Sequence, residues 1–342
     1  MNADLALDVR LTAEMSAGIR AYRAALIEQL PRAAPELRIA RVGRGRHFGL
    51  DENLRLPREI ARSGAPLVHY LSALVPLRRS VPYLLTVHDT IPLRFPQLVS
   101  ARSRLYYATV GRAAIRAARL LLVHDPRTGD ELARLLGIAP ERVRAIPLGY
   151  DPQLLASYER EAAPRPYLLY AGNHRPHKNL ATLFAAWAAL PEELALDCYT
   201  TGRDDLAPFR ARFGRTHGSI VALGEVDRAR LGRLYRGALA YVQPSLLEGF
   251  GLPLLEAAVV GTPVVASAES IPAIARGRVL AFPARDVAAL AAHLGALVRD
   301  PEAARRRAAE VAGALHAYTW ERFAASLAAV YREQLSEIRA SR

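Results

Sequence analysis

Two glutamates, Glu248 and Glu256, stand with seven residues between them in the stretch PSLLEGFGLPLLEAAVVGTPVVAS. Between them Gly249, Phe250, Gly251, Leu252 and Pro253 read as a turn that leaves a strand and opens a helix. A turn of that kind exposes backbone N–H groups at the positive end of the helix dipole, which suits a phosphate or an electron-rich sugar hydroxyl. Glu248, before the turn, can accept hydrogen bonds from sugar hydroxyls, and Glu256, about one turn into the helix, can accept them from a ribose diol. At this spacing two glutamates alone would mark a solvated helix face. The glycines between them and the GTPVVAS run after them favour a pocket lined by both.

A second stretch, YLLYAGNHRPHKNL, takes a strand into a loop carrying His174, Arg175, His177 and Lys178, with a helix starting near Asn179. Arg175 offers a planar fork and Lys178 a compact point charge to a diphosphate at the strand's carboxyl end. Phosphate binding accounts for this loop better than metal binding by the two histidines, which lack neighbouring carboxylates or thiolates, and no metal is expected. Two segments of the first half complete the set. In SAGIRAY, Ser16, Ala17 and Gly18 read as a small-residue loop before a helix. In TVHDTIPLRFP, His88 and Asp89 fall at a strand end, either to orient an acceptor hydroxyl or a sugar, or as a buried structural pair.

Positioning these groups requires strand ends. Short apolar runs alternate with helical patterns along the chain: LALDV, PLVHYL, YLLTVHD and RLLLVHD in the first half, then PYLLYAG, LALDCYTTG, SIVALG, ALAYVQPS, TPVVAS and VLAFP in the second. That alternation predicts parallel sheets wrapped by helices. The polar stretch LASYEREAAPRP reads as a linker between two α/β domains, each a doubly wound, Rossmann-like parallel sheet, facing across a cleft with ligands beyond the strands' carboxyl ends. In the last segment Trp320, Phe323, Leu327, Val330, Tyr331 and Leu335 recur at helical spacing and predict a helix packed on a core.

Charge and composition narrow the function classes. The chain has 342 residues, 46 basic against 33 acidic, and all but one of the basic residues are arginine; the exception is Lys178. Up to Tyr150 there are 23 basic and 13 acidic residues, and after it 23 and 20, so the excess belongs to the first half. Arg112, Arg116 and Arg119 read as one helical face with Leu105, Tyr106 and Tyr107 as interfacial anchors, and Arg41, Arg44 and Arg46 as a basic glycine-containing loop. The first domain is therefore expected to face something anionic: a membrane surface, a phosphorylated acceptor or a nucleic acid. Nucleic acid is disfavoured, since zinc-finger spacing, an aromatic RNA-binding strand and a lysine-rich tail are all missing. The single Cys198 excludes a disulfide scaffold and reads as a core residue. The acidic N-terminal residues do not read as a secretory signal, and no run of about 18 apolar residues is free of charge. A cytoplasmic protein, peripheral to a membrane at most, is expected.

EGFGLPLLEA, GNHRPHKNL, HDTIPLRFP, the TGRDD and ALGEV strand ends and the closing TWERFA together resemble the family-four retaining glycosyltransferases of GT-B fold, over nearly the whole chain. The resemblance implies an acceptor-binding domain over 1–152, a linker over 153–165, a nucleotide-sugar-binding domain over 166–319, and a final helix, about 320–342, that crosses back to the first domain. It implies transfer with retention and without a bound metal, basic side chains and helix N-termini neutralising the leaving diphosphate. By position, Glu248 contacts the donor sugar, Glu256 the ribose, Arg175 and Lys178 the diphosphate, and backbone N–H groups at Phe250, Gly251 and Leu252 the sugar or phosphate oxygens. Gly18 lets the N-terminal loop approach the phosphates, and His88 sits beside sugar and acceptor. Ala17-Gly18-Ile19-Arg20 departs from the family's double-glycine loop, Ala273 from a glutamate, and His124 from a serine; His124 is given no role. The expected reaction moves a hexose, mannose from GDP-mannose first and UDP-linked sugars next, to a glycan or lipid-linked acceptor, with the nucleotide sugar as substrate and no resident cofactor. The alternatives are a nucleotide-sugar epimerase and a non-catalytic basic glycan- or nucleic-acid-binding protein.

Overall fold

The computed structural model describes residues 2–10, 16–43, 50–155, 159–203, 205–213 and 218–341. Their contacts divide the chain into two compact units, one of Met1–Gly149 with Tyr318–Arg342, the other of Tyr150–Ala317. Each unit is built on one six-stranded parallel sheet. In the first, β1 (Leu5–Asp8), β2 (Ile39–Val42), β3 (Val68–Tyr70), β4 (Tyr83–Thr86), β5 (Leu120–Val123) and β6 (Val143–Ala145) lie in the order β2-β1-β3-β4-β5-β6. In the second, β7 (Tyr167–Tyr170), β8 (Asp197–Thr200), β9 (Ile220–Ala222), β10 (Ala240–Gln243), β11 (Val264–Ser267) and β12 (Leu280–Phe282) lie in the order β12-β11-β10-β7-β8-β9. Both orders reverse direction beside the first strand of the unit, so each sheet is doubly wound with helices on both faces.

Helical crossovers bury both faces of the inner strands, which is why these read as unbroken apolar runs. Leu84, Leu121, Leu168 and Val242 are all fully buried. Ten of the twelve strands coincide with the apolar runs named above, and the exceptions are β2 and β6. Both are edge strands, where half the side chains meet solvent and arginine is tolerated. Arg41, expected in a loop, pairs with Leu7 across the sheet, and Arg144 pairs with Leu122. Arg44 and Arg46 lie outside the described residues.

The final helix, Trp320–Ala340, packs in the first unit, against the helix Ala17–Ala33. Trp320, Phe323, Leu327, Val330, Tyr331 and Leu335 are its buried stripe. The Tyr331 hydroxyl reaches His69 Nδ1 at 2.6 Å, and Arg119 donates to Gln334 (2.7 Å) and Glu337 (2.6 Å). Where the chain returns, Gly149 lies so close to the backbone of Thr319 and Trp320 that a Cβ would overlap it. Arg119 also corrects the basic helical face expected over 112–119. The helix Arg112–Ala117 stops short of it, and Ala118 turns extended to enter β5. Among the described residues no helix is long and apolar enough to cross a membrane.

Candidate functional site

In the second unit the groups singled out by spacing gather at the carboxyl ends of β7 and β10. After β7 the chain makes one 3-10 turn, Pro176–Lys178, and then Asn179 adopts a left-handed conformation (φ 56°) before the helix Leu180–Ala188 begins. Among the described residues Asn179 is the one non-glycine with positive φ, a conformation asparagine tolerates and its local hydrogen bonds offset. Its Nδ2 donates to the carbonyls of Pro244 (3.0 Å) and Ala284 (2.5 Å), and its Oδ1 accepts from Thr182 Oγ1 (3.0 Å). The loop is tied to the one after β10 again by Leu246 N–H donating to the His177 carbonyl at 2.8 Å.

These ties aim Lys178 at Glu248. Lys178 Nζ donates to both carboxylate oxygens, at 2.7 and 2.9 Å, and Ser245 Oγ donates to the same carboxylate at 2.6 Å. The side chains keep only 17% and 12% of their surface exposed, enough for the pair to touch a ligand and too little for water to screen it. Burial pushes the Glu248 carboxyl up, but the Lys178 charge and the hydrogen bonds from Lys178 and Ser245 outweigh it and hold the pKa below the ordinary value. Beside it, burial and the Lys178 charge push His177 down to about 4, so its imidazole is neutral at pH 7.

The turn after Glu248 is shaped by Gly251, left-handed at φ 82°, which caps the helix Leu252–Val259. A Cβ there would come within 2.9 Å of Gln243 Nε2, which is itself held by Ser270, so glycine is required twice over. Phe250 and Leu252 bury their side chains.

Glu256, the fifth residue of that helix, is 2% exposed and already occupied. Arg228 donates to its Oε1, Tyr235 OH approaches Oε2 at 3.4 Å, and Arg228 Nε also reaches Asp151 at 3.1 Å. Burial pushes the Glu256 carboxyl up, Arg228 recovers only part of the shift, and the pKa stays above the ordinary value. Arg175 is exposed, one turn before Lys178.

In the first unit the expected groups are His88 and Gly18. His88 lies past the end of β4 with both ring nitrogens engaged, Nε2 to the Leu71 carbonyl (2.8 Å) and Nδ1 to His124 Nε2 (3.1 Å). Burial lowers its pKa to about 4. Gly18 is in the first turn of the helix Ala17–Ala33, capped by Ser16 Oγ, and not in a loop as expected. A Cβ on Gly18 would meet nothing nearer than Ser16 Oγ at 3.9 Å, so packing within the protein does not demand glycine there.

Comparison with known proteins follows the same division. Residues 19–154 match the model described as Glycosyltransferase Family 4, and residues 165–300 the one described as Glycosyl transferases group 1. The MMP α-(1→4)-mannosyltransferase of Mycolicibacterium hassiacum is 31% identical over 293 residues, covering 76% of this chain and 67% of that protein. This chain belongs to glycosyltransferase family 4. The family-4 chain is also 29% identical to the O-antigen chain mannosyltransferase B of Escherichia coli over 231 residues, 63% of this chain and 61% of that protein. It spans about three-fifths of the length of the first curated relatives it matches. Among solved structures, a sucrose-phosphate synthase from Thermosynechococcus elongatus superposes with a TM-score of 0.75 at 21% identity, over 97% of this chain and 99% of that one, which shows the two-domain GT-B fold.

Three groups of the family-4 chain escaped the sequence reading. Ser245, three residues before Glu248, carried no spacing signal. Arg228 and Asp151, which tie down Glu256, are 77 residues apart and Arg228 is one arginine among 45. Asp8, Arg10 and Glu52 form a buried ionic cluster at the carboxyl end of β1, Arg10 Nη2 to Asp8 at 2.7 Å and Nη1 to Glu52 at 3.4 Å. Only the short-range Asp8–Arg10 spacing could have pointed to it.

Proposed function

We propose that this protein transfers a hexose from a nucleotide diphosphate sugar to a glycan or lipid-linked acceptor, with retention at the anomeric carbon and without a bound metal. The observation that carries the reading is the Lys178–Glu248 pair at the carboxyl ends of β7 and β10, three residues before the helix opened by Gly251. In the proposed reaction Lys178, joined by the exposed Arg175, takes the charge of the departing diphosphate, and Glu248 accepts from a donor-sugar hydroxyl while holding the ammonium in place. The backbone N–H groups at Phe250, Gly251 and Leu252 serve sugar or phosphate oxygens, and Glu256, held by Arg228, serves the ribose. The C1–O bond to the diphosphate breaks, the acceptor oxygen bonds to C1 on the same face, and its proton passes to the departing phosphate oxygen. No side chain is assigned as a covalent nucleophile.

Mannose from GDP-mannose is the first choice of donor; the similarity to the mannosyltransferases of M. hassiacum and E. coli supports the mannose, and the nucleotide is chosen by the test. The test is nucleotide diphosphate release from GDP-, UDP- and ADP-sugars, with and without acceptor and with a chelator present. GDP release that needs an acceptor and disappears in Glu248→Ala and Lys178→Ala supports the reading. Release from UDP-glucose alone overturns the donor choice, chelator sensitivity overturns the metal-free step, a sugar isomer formed without acceptor points to an epimerase, and no release from any donor overturns catalysis. The anomeric configuration of the product, read by NMR, tests retention.

A lipid-linked acceptor is supported by the first unit's surface. Among the described residues Leu54, Leu77 and Leu105 are its large exposed apolar side chains, at 52%, 61% and 67%. The Leu77 N–H donates to Asn53 beside Leu54, and exposed arginines 55, 58, 78, 102 and 104 flank the three. Apolar anchors ringed by arginine fit an anionic membrane surface. Co-sedimentation with phosphatidylglycerol vesicles, reduced in the triple Leu→Ser variant, is the expected result; equal binding to neutral vesicles or by the triple variant refutes it.

A further inference from the structure

One line of polar contacts crosses the carboxyl ends of four adjacent strands in the first unit. It starts at the Leu71 carbonyl just past β3, passes through His88 past β4 and His124 past β5, and ends at the Ile146 carbonyl past β6. The three contacts measure 2.8 Å (Leu71 O to His88 Nε2), 3.1 Å (His88 Nδ1 to His124 Nε2) and 3.3 Å (His124 Nδ1 to Ile146 O). The Tyr22 ring packs against both imidazoles, at 5.0 and 5.1 Å between centroids, and Phe323 covers His124 at 6.1 Å.

Counting protons limits the tautomers. Both ends of the line are carbonyls, which only accept, so three contacts need three protons. Two neutral imidazoles supply two. One contact must then set lone pair against lone pair, and the repulsion is least where the atoms are furthest apart, at 3.3 Å. With the bare contact placed there, His88 Nε2 donates to Leu71 and His124 Nε2 donates to His88 Nδ1, leaving His124 Nδ1 bare toward Ile146.

We propose that His124 is the positioning residue for His88: it donates from Nε2 to fix the plane and tautomer of the His88 ring, and the two imidazoles take up a third proton as one unit, on His124 Nδ1 toward the Ile146 carbonyl. The assignment rests on the proposed transfer reaction for its effect on catalysis, since His88 is the residue expected beside the sugar. With both nitrogens committed, His88 offers no basic nitrogen, and its one N–H, shared with the Leu71 carbonyl, is held in a fixed direction. Burial keeps His88 at about 4 and His124 well below the ordinary value, so the pair is neutral at pH 7. The titratable groups facing it are His69 from β3, neutral between Tyr331 OH and Thr86 Oγ1, and Tyr22 from the helix Ala17–Ala33. Asp89 and Asp125, each next to one of the histidines, accept from the backbone N–H groups of Ile91 (2.9 Å) and Arg127 (3.0 Å).

The experiment combines imidazole 15N spectra of the whole chain with kinetics of two variants. At pH 7 both histidines should show a protonated Nε2 and a bare Nδ1, and on acidification they should change at one common pH with uptake of one proton. His124→Leu should lower kcat about ten- to hundredfold with the donor KM unchanged, and move the acid limb of kcat to lower pH because the third proton loses its acceptor line. His124→Gln, whose amide nitrogen can replace Nε2, should restore kcat to within a fewfold. A protonated His124 Nδ1 at pH 7, independent titration of the two rings, or full kcat in His124→Leu overturns the proposal. If His124→Leu does not fold, the spectra of the unaltered protein and the His124→Gln rates still decide it. A protein that releases no nucleotide diphosphate from any sugar donor refutes the transfer reaction instead, and the spectra then decide the proton count by themselves.

Discussion

Removing one member of the Lys178–Glu248 pair should be costly, and removing both nearly harmless. The ammonium lies 2.7 and 2.9 Å from the two carboxylate oxygens, with each side chain more than four-fifths buried. At about 3 Å and an effective dielectric of about 20 the attraction is on the order of 5 kcal/mol, set against the loss of hydration of both ions. Lys178→Met keeps the stem and strands a carboxylate with Ser245 as its remaining side-chain donor. Its expected cost is about 3 kcal/mol at pH 8. Glu248→Gln keeps one carbonyl acceptor for the ammonium and should cost about half as much. The double variant should cost no more than about 1 kcal/mol relative to the parent, giving a coupling of about 3.5–4.5 kcal/mol. The pH dependence checks the cause. With Lys178 present the folded pKa of Glu248 is depressed, so the pair's contribution is full above the unfolded value of 4.5 and is lost as pH falls through the folded one. Without Lys178 burial outweighs the Ser245 hydrogen bond and raises the folded pKa, so the variant is penalised at pH 8 and relieved near pH 5. Urea unfolding in a Trp320→Phe background, where the buried Trp187 reports the second unit alone, measures all four proteins. A coupling below about 0.5 kcal/mol, or a Lys178→Met penalty no smaller at pH 5, would refute the description of the pair. Lys178→Arg then separates charge from shape. Stability should be kept while nucleotide diphosphate release falls, and full release would show that a compact ammonium is not required.

Gly149→Ala should destabilise the first unit by about 1–3 kcal/mol, because the new Cβ overlaps the Thr319–Trp320 backbone; Gly313→Ala, in an open position of the helix Pro301–Leu315, should instead add about 0.5–1 kcal/mol. Thermal melts of the pair of variants decide this, and equal melting temperatures would contradict the close approach. Acid should weaken the first unit before the second: among the described residues His69, His88 and His124 are held neutral in the first, and His177 in the second. Depressed histidine pKa values mean that the unfolded chain binds more protons below about 6.5, so stability falls as pH drops from there toward 4, by up to about 1.4 kcal/mol per histidine per pH unit. Glu256 acts in the opposite sense between 4.5 and its raised folded value, where stability falls as pH rises. Unfolding at pH 7 and pH 5, read from Trp320 and Trp187 separately, tests the order; a second unit that fails first would overturn it.

What the linear sequence reveals depends on how far apart the interacting residues lie. The eight inner strands were legible because a parallel strand covered on both faces must be apolar throughout, and the edge strands β9 and β12 because their short runs are apolar even so. β2 and β6 were hidden because an edge strand need not be, and Arg41 and Arg144 occupy their exposed positions. The Glu248 turn was legible for a local reason too: Gly251 must be left-handed and must clear Gln243, so a glycine marks the spot.

The groups that give each site residue its electrostatic character were not legible. Glu248 and Glu256 look alike in the sequence, yet one has a depressed pKa and the other a raised one. The difference comes from partners 70 and 28 residues away, Lys178 and Arg228, brought in by separate strand ends. Composition decides which partner could be noticed. A lysine that is unique in the chain drew attention to position 178, whereas Arg228 is lost among 45 arginines. The same holds for His124. It was visible as a histidine, but its meaning depends on two carbonyls and a second imidazole that only the order β3-β4-β5-β6 places in line. Residue type limits which bonds a side chain can make, while strand order determines which of them it does make, and the proton count across that line follows from both.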